Sequence, residues 1–172
     1  FANDAAAARK DLRIRTVEID RDRADAAAEQ HLQSTTNAPD VLTETTADFG
    51  FALLLAAARQ VGDAERYLRA GQWTKWSVDL FAGADVHGAT LGIVGMGRIG
   101  QTIARRSTGF DMAVRYHTRR PVEGLGWAHE PSLTALAACC DFLVVITAGG
   151  AGTRHLIDAA VLEALGPQGV LV

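Results

Sequence analysis

The feature that most constrains this chain is a run of three spaced glycines, Gly95-Met96-Gly97-Arg98-Ile99-Gly100. Alone, such a run is a weak signal. Here it follows the apolar segment Leu91-Gly92-Ile93-Val94 and opens a helical pattern, inside a strand–helix–strand unit of about 30 residues. In that context each glycine has a separate task. Gly95 is expected to make the tight turn. Gly97 lets backbone approach a pyrophosphate, and Gly100 lets the helix lie close to the strand. An anion then sits on the N–H groups of the helix N-terminus. A glycine-rich turn without a ligand is the alternative. The flanking elements favour a dinucleotide site.

The surrounding pattern agrees. Strands are expected at Thr90–Gly95, Met112–His117, Asp141–Thr147 and Gly169–Val172, with helices at 98–109, 132–140 and 158–165. Short, continuously apolar strands alternating with helices indicate an α/β fold with a parallel sheet covered on both faces. Upstream, one long helix is expected from Thr43, as N-cap, to Ala70, with Gly71 ending it. Its first half is apolar nearly all round, so it should be buried on more than one side. The first 36 residues differ in texture, being rich in Ala, Arg and Asp. They suggest a helix near 5–10, a strand at 12–17 and a helix at 24–31. A turn-rich join at Thr35–Asp40 separates them from the rest, giving expected domains of 1–36 and 37–172.

Composition removes several classes of function. Of 172 residues, 48% are apolar and 22% charged, enough apolar material for a real core. Acids outnumber bases 20 to 17, and no nucleic-acid motif is present, so no nucleic-acid partner is expected. The longest apolar stretch, Phe51 to Ala58, is far short of the roughly 20 residues that span a bilayer, so no membrane association is expected. The first twenty residues mix acids and bases, unlike a signal peptide. The two cysteines, Cys139 and Cys140, are neighbours and form no disulfide framework, which suits a reducing cytoplasm. No Cys, His or carboxylate cluster has metal-ligand spacing, so no metal is expected.

The end of the second strand bears on which dinucleotide binds. An NAD site usually places an Asp or Glu there, about 20 residues past the glycines, to grip the ribose hydroxyls. This chain has His117-Thr118-Arg119-Arg120-Pro121 instead. A hydroxyl and two arginines stand where a 2′-phosphate would lie, and arginine binds phosphate with paired hydrogen bonds. Arg98, Arg105, Arg106, Arg115, Arg119 and Arg120 face a single acid, Asp111, between Gly95 and Pro121. Arg105 and Arg106 are expected only to solvate a helix face. The rest favours NADP, with NAD possible.

Three separated blocks, in order, then resemble the D-2-hydroxyacid dehydrogenase family. They are Asn37-Ala38-Pro39-Asp40-Val41-Leu42-Thr43-Glu44-Thr45-Thr46-Ala47-Asp48, Val86-His87-Gly88-Ala89-Thr90-Leu91 running into the glycines, and Thr153-Arg154-His155-Leu156-Ile157. The ending of the second strand is similar to the glyoxylate/hydroxypyruvate reductase branch. The resemblance implies a Rossmann-type doubly wound sheet inserted into a substrate domain, of which only a part is expected here. It implies a reductase that moves hydride from NAD(P)H to a small 2-oxo acid. It implies that Arg98 and Ile99 meet the pyrophosphate through backbone groups, that Thr147 and Ala148 line the adenosine side, and that Thr153 contacts the cofactor across the loop Gly149–Gly152. That loop is expected to be a flexible turn. The long helix would build a two-fold homodimer.

The same resemblance shows departures. The family's catalytic Arg, and the Glu and His that work with it, match no position in this chain. The five histidines, His31, His87, His117, His129 and His155, are expected to be surface or loop residues. Ile19-Asp20 stands where the family has a Val-Gly pair holding the substrate carboxylate, and Leu32 replaces a further glycine. The chain is therefore expected to be a fragment that supplies the cofactor half and is inactive alone. The alternative is a non-catalytic NAD(P)-sensing or interaction module.

Overall fold

The computed structural model describes residues 39–172. The elements expected within 1–36, together with Asp20, His31 and Leu32, lie outside the described residues. The described elements are α1 (Pro39–Ala58), α2 (Val61–Arg69), β1 (Thr90–Val94), α3 (Arg98–Ser107), β2 (Ala113–His117), β3 (Ala128–His129), α4 (Leu133–Ala138), β4 (Phe142–Val145), α5 (Ala159–Leu165) and β5 (Val170–Leu171). The five strands form one sheet in the order β3-β2-β1-β4-β5. Every pairing is parallel, with Val94 opposite His117 on one side and Val145 on the other. The chain steps outward from β1 in both directions, which creates a crevice beyond the carboxyl ends of β1, β2 and β4.

Alternation along each strand feeds two cores. Leu91 and Ile93 join Phe142, Val144 and Tyr116 under α1 and α3, where Phe51, Leu54 and Ile103 are buried. Val94 and Leu143 point the other way, to Leu136, Ala137, Cys140 and Val161 of the α4–α5 layer. Gly92 permits that second layer to close, because a Cβ there would stand 2.8 Å from Cys140 Sγ. Ser132 and Asp158 cap α4 and α5 with side chains that accept from Ala135 N and Val161 N.

Burial pushes the Cys140 thiol up to about 12, with Cys139 beside it adding to the rise. A raised thiol value favours the protonated folded state, so this contribution to stability falls as pH rises above the ordinary thiol range. Cys139 is exposed. Iodoacetamide at about pH 8 is expected to alkylate Cys139 in the native protein and to spare Cys140 until urea is added. Peptide mass mapping reads this directly, and equal labelling in the native state would contradict it.

The upstream helix differs from expectation at its start and in the middle, while its end falls where expected, with Ala70 as C-cap and Gly71 at φ 70°. It begins at Pro39, a residue well suited to a first helical turn. Thr43 is thus not its cap but a buried residue on the face that continues through Ala47, Phe51, Leu54 and Ala58. The helix also breaks after Ala58. Gln60 takes a left-handed conformation with φ 52°. The reason is a competing partner. Ala84 N donates to Ala58 O at 2.8 Å, a carbonyl that a continuous helix would use internally. Gly83 lets that segment approach, since a Cβ there would overlap the same carbonyl oxygen.

Arg106 is also more than a solvating residue. Its guanidinium lies 2.6 Å from Asp48 and 2.8 Å from Glu44, and so joins α3 to α1. Among the described residues, no helix is long and apolar enough to cross a membrane.

Candidate functional site

The glycines, the end of β2 and the end of β4 meet at one groove. It has a volume of about 990 Å³ and opens at the carboxyl edge of the sheet. Nine residues expected in a cofactor site line it: Gly95, Gly97, His117, Thr118, Arg119, Arg120, Thr147, Ala148 and Thr153. Three others do not line it. Arg98 and Ile99 form the first turn of α3, and Gly100 is buried beneath it.

The local geometry explains each glycine. Gly95 has φ 102°, and a Cβ would stand 2.6 Å from Ile146 O. Only glycine fits that turn from β1 into α3, packed against the end of β4. A Cβ on Gly100 would overlap Gly95 O, so this glycine holds the helix against the turn. Gly97 is different. Its φ is −76°, which any residue adopts, and a Cβ there would meet nothing within 4 Å. Among the described residues nothing demands glycine at that position. The space it leaves belongs to the groove.

The N-terminus of α3 opens at the groove, where Gly97 lines it. No side chain caps α3, and its first internal backbone bond is made by Gln101 N to Gly97 O. N–H groups earlier in the turn lie at the positive end of the helix dipole. The loop is steadied from both sides. Gly95 N donates to His117 O at 3.0 Å, and Gln101 Nε2 donates to Met96 O at 3.2 Å. Among the described residues the groove wall carries two arginines and no carboxylate. These features fit a nicotinamide dinucleotide.

The far wall is firmer than a flexible turn. Ala151–Thr153 form a short 3-10 turn, and Thr153 Oγ1 is within 3.0 Å of Ala148 O and 3.2 Å of Gly150 O. This hydroxyl staples the loop, and Gly150 and Gly152 line the groove with it. Four further lining residues were not anticipated, Val94, Met96, Ile146 and Leu156. Leu156 could have been found as the apolar residue closing the Thr153–Ile157 block. Two histidines also depart from expectation. His117 and His129 are half-buried at strand ends rather than on the surface or in loops, and each bonds a backbone carbonyl. His87 and His155 are exposed. Among the described residues, no group of three His, Cys, Asp or Glu side chains could hold a metal ion.

Comparison with known proteins decides the family. Residues 51–172 match the model of the D-isomer specific 2-hydroxyacid dehydrogenase NAD binding domain. The chain belongs to the D-isomer specific 2-hydroxyacid dehydrogenase family. The family's NAD-binding domain is the part described here, a Rossmann-type parallel sheet. A glyoxylate reductase of Thermococcus onnurineus is 44% identical over 144 residues, covering 80% of this chain and 43% of its own length. A glyoxylate/hydroxypyruvate reductase A of Arabidopsis thaliana is 38% identical over 137 residues, again covering 80% of this chain and 43% of its own. Among solved structures, the NADPH-dependent glyoxylate/hydroxypyruvate reductase of Sinorhizobium meliloti, in complex with NADP and malonate, superposes with a TM-score of 0.69. It is 45% identical and covers 79% of this chain and 43% of its own. The chain thus spans about 43% of the length of the family members it matches.

Proposed function

We propose that the groove binds NADP(H) in preference to NAD(H), and that the chain is the cofactor half of a reductase acting on a small 2-oxo acid of the glyoxylate or hydroxypyruvate type. The observation that carries the cofactor preference is the end of β2. Thr118, Arg119 and Arg120 line the groove there, and among the described residues no carboxylate does. A carboxylate would repel a 2′-phosphate, and arginine attracts it. The substrate class is supported by the relatives named above. In this reading residues 1–36 belong to the substrate domain and 37–172 to the cofactor domain.

When bound, the reduced cofactor supplies the hydride. The chain's own residues hold and orient the nucleotide. The first turn of α3, at Arg98 and Ile99, takes the pyrophosphate, with Gly97 leaving room for it. The two arginines take the 2′-phosphate, with Thr118 bracing their turn through its hydroxyl bond to Arg120 O and His117 at the same strand end. Thr147, Ala148 and the Thr153 staple shape the adenosine side. No residue of this chain is assigned to proton transfer.

Two assays test the proposal. The 172-residue chain is expected to bind NADPH without consuming it when glyoxylate is added. The full gene product is expected to oxidise NADPH only when glyoxylate or hydroxypyruvate is present. Turnover by the 172-residue chain would refute the division of labour, and no response of the full product to either acid would refute the substrate class.

The same proposal includes a homodimer, now resting on α1 rather than on one continuous helix. Leu42, Phe49 and Leu53 form a second apolar stripe on α1, with 65%, 64% and 44% of their surface exposed. Apolar faces of this kind mark association sites. The double substitution Phe49→Asp with Leu53→Asp is expected to give a monomer in sedimentation velocity while the wild-type chain sediments as a dimer. A wild-type monomer would count against this part.

A further inference from the structure

We propose that His129 and Tyr116 are positioning residues that set the preference for a 2′-phosphorylated cofactor, by holding the arginine-bearing turn in shape. The inference rests on the NADP reading of the groove and adds to it two side chains that are absent from the groove wall.

The turn after β2 carries Arg119 and Arg120, both exposed. Among the described residues neither is held by an ion pair, so their placement depends on the backbone beneath them. That backbone is gripped at three points. His129 Nε2 lies 3.0 Å from Thr118 O. A carbonyl only accepts, so this nitrogen carries the proton and donates. Thr118 Oγ1 donates to Arg120 O at 2.6 Å. The Tyr116 hydroxyl accepts from Val122 N at 3.1 Å and lies 3.4 Å from Val122 O. The turn is therefore pinned at its entry, across its middle and at its exit.

The two outer pins are one unit. Tyr116 pairs in register with His129 across β2 and β3. Their rings lie 5.2 Å apart. Tyr116 is 2% exposed, so its ring cannot swing away. A second histidine fastens β3 itself, with His117 Nδ1 2.9 Å from Glu130 O. This gives β3, only two residues long, a purpose in the site. It carries the donor that fixes the turn. A turn fixed before the ligand arrives loses less freedom on binding, and the whole of that gain falls on the groups that the turn presents. Those groups meet the 2′-phosphate and not the rest of the dinucleotide. Loosening the turn should weaken NADPH and leave NADH alone.

The experiment measures the dissociation constants of NADPH and NADH for four variants of the chain by calorimetry, with circular dichroism as a check of folding. His129→Leu removes the donor. His129→Gln keeps an N–H at about the same reach. Tyr116→Phe removes only the hydroxyl and keeps the packed ring. Arg119→Gln tests the underlying reading. His129→Leu and Tyr116→Phe are each expected to weaken NADPH about tenfold and to change NADH less than about twofold. His129→Gln is expected to restore most of the NADPH affinity. Equal weakening of both cofactors by His129→Leu and Tyr116→Phe would mean a merely structural role and would overturn the inference, as would no change in either. If Arg119→Gln shifts the ratio and the His129 and Tyr116 variants do not, the NADP reading stands and this inference falls. If Arg119→Gln leaves the ratio unmoved, both fall together.

Discussion

Gly97→Val is expected to leave the chain folded and to weaken NADPH binding by more than about 100-fold, which corresponds to about 2.7 kcal/mol. The two halves of that result have different causes. A Cβ at this position meets nothing within 4 Å, so the fold has room for it. Gly97 is the N-cap of α3, where exchanging glycine for an aliphatic residue costs about 1 kcal/mol or less. In the proposed site the same open space is where the pyrophosphate approaches the backbone, and a branched side chain would fill it. Gly100→Val makes the opposite case. Its Cβ would overlap the Gly95 carbonyl, which is backbone and cannot move aside. Stability is expected to fall by about 1–3 kcal/mol, and binding to fail with it. Urea titrations and NADPH calorimetry on the pair separate the two effects. If Gly97→Val binds NADPH as the wild type does, the groove is not a pyrophosphate site.

The second large effect concerns the end of β2. Arg119→Asp is expected to weaken NADPH by about 10- to 100-fold and to leave NADH unchanged or slightly tighter. A hydrogen bond to a charged group contributes about 1.5–3 kcal/mol, and the new carboxylate adds repulsion toward the phosphate. Arg119 is exposed, so the wild-type preference for NADPH should shrink as salt rises. Measuring both cofactors at low and high ionic strength checks each part. A parallel loss of NADPH and NADH affinity would indicate damage to the turn rather than loss of a phosphate contact.

Much of this site was legible because its chemistry is local in sequence. Gly95, Gly97 and Gly100 lie within six residues and are flanked by a strand and a helix. The strands β1, β2 and β4 are short apolar runs whose ends fall within one or two residues of the expected bounds. Ser132 and Asp158, the first residues of the expected helices 132–140 and 158–165, cap α4 and α5 from just outside them. What was not legible depends on distant partners. The break after Ala58 is caused by Ala84, 26 residues away, taking a carbonyl that helical periodicity assigns to the helix itself. The strand β3 is two residues long, below the length at which alternation can be seen. With β3 hidden, the role of His129 was hidden as well. Arg106 read as a solvated helix residue because Glu44 and Asp48 are far from it in the chain. The Thr153 staple was missed for a different reason. Four small residues, Gly149 to Gly152, read as slack, and only the hydroxyl bonds show the loop held closed.

The central claim is that the groove at the carboxyl edge of the sheet binds a dinucleotide and prefers its 2′-phosphorylated form. Calorimetric titration of the chain with NADPH, and separately with NADH, tests it most directly. The expected result is saturable binding of one NADPH per chain, with NADH binding at the same stoichiometry and lower affinity. Binding of neither by a chain that circular dichroism shows to be folded would contradict the site itself, and tighter binding of NADH would contradict the role given to Thr118, Arg119 and Arg120.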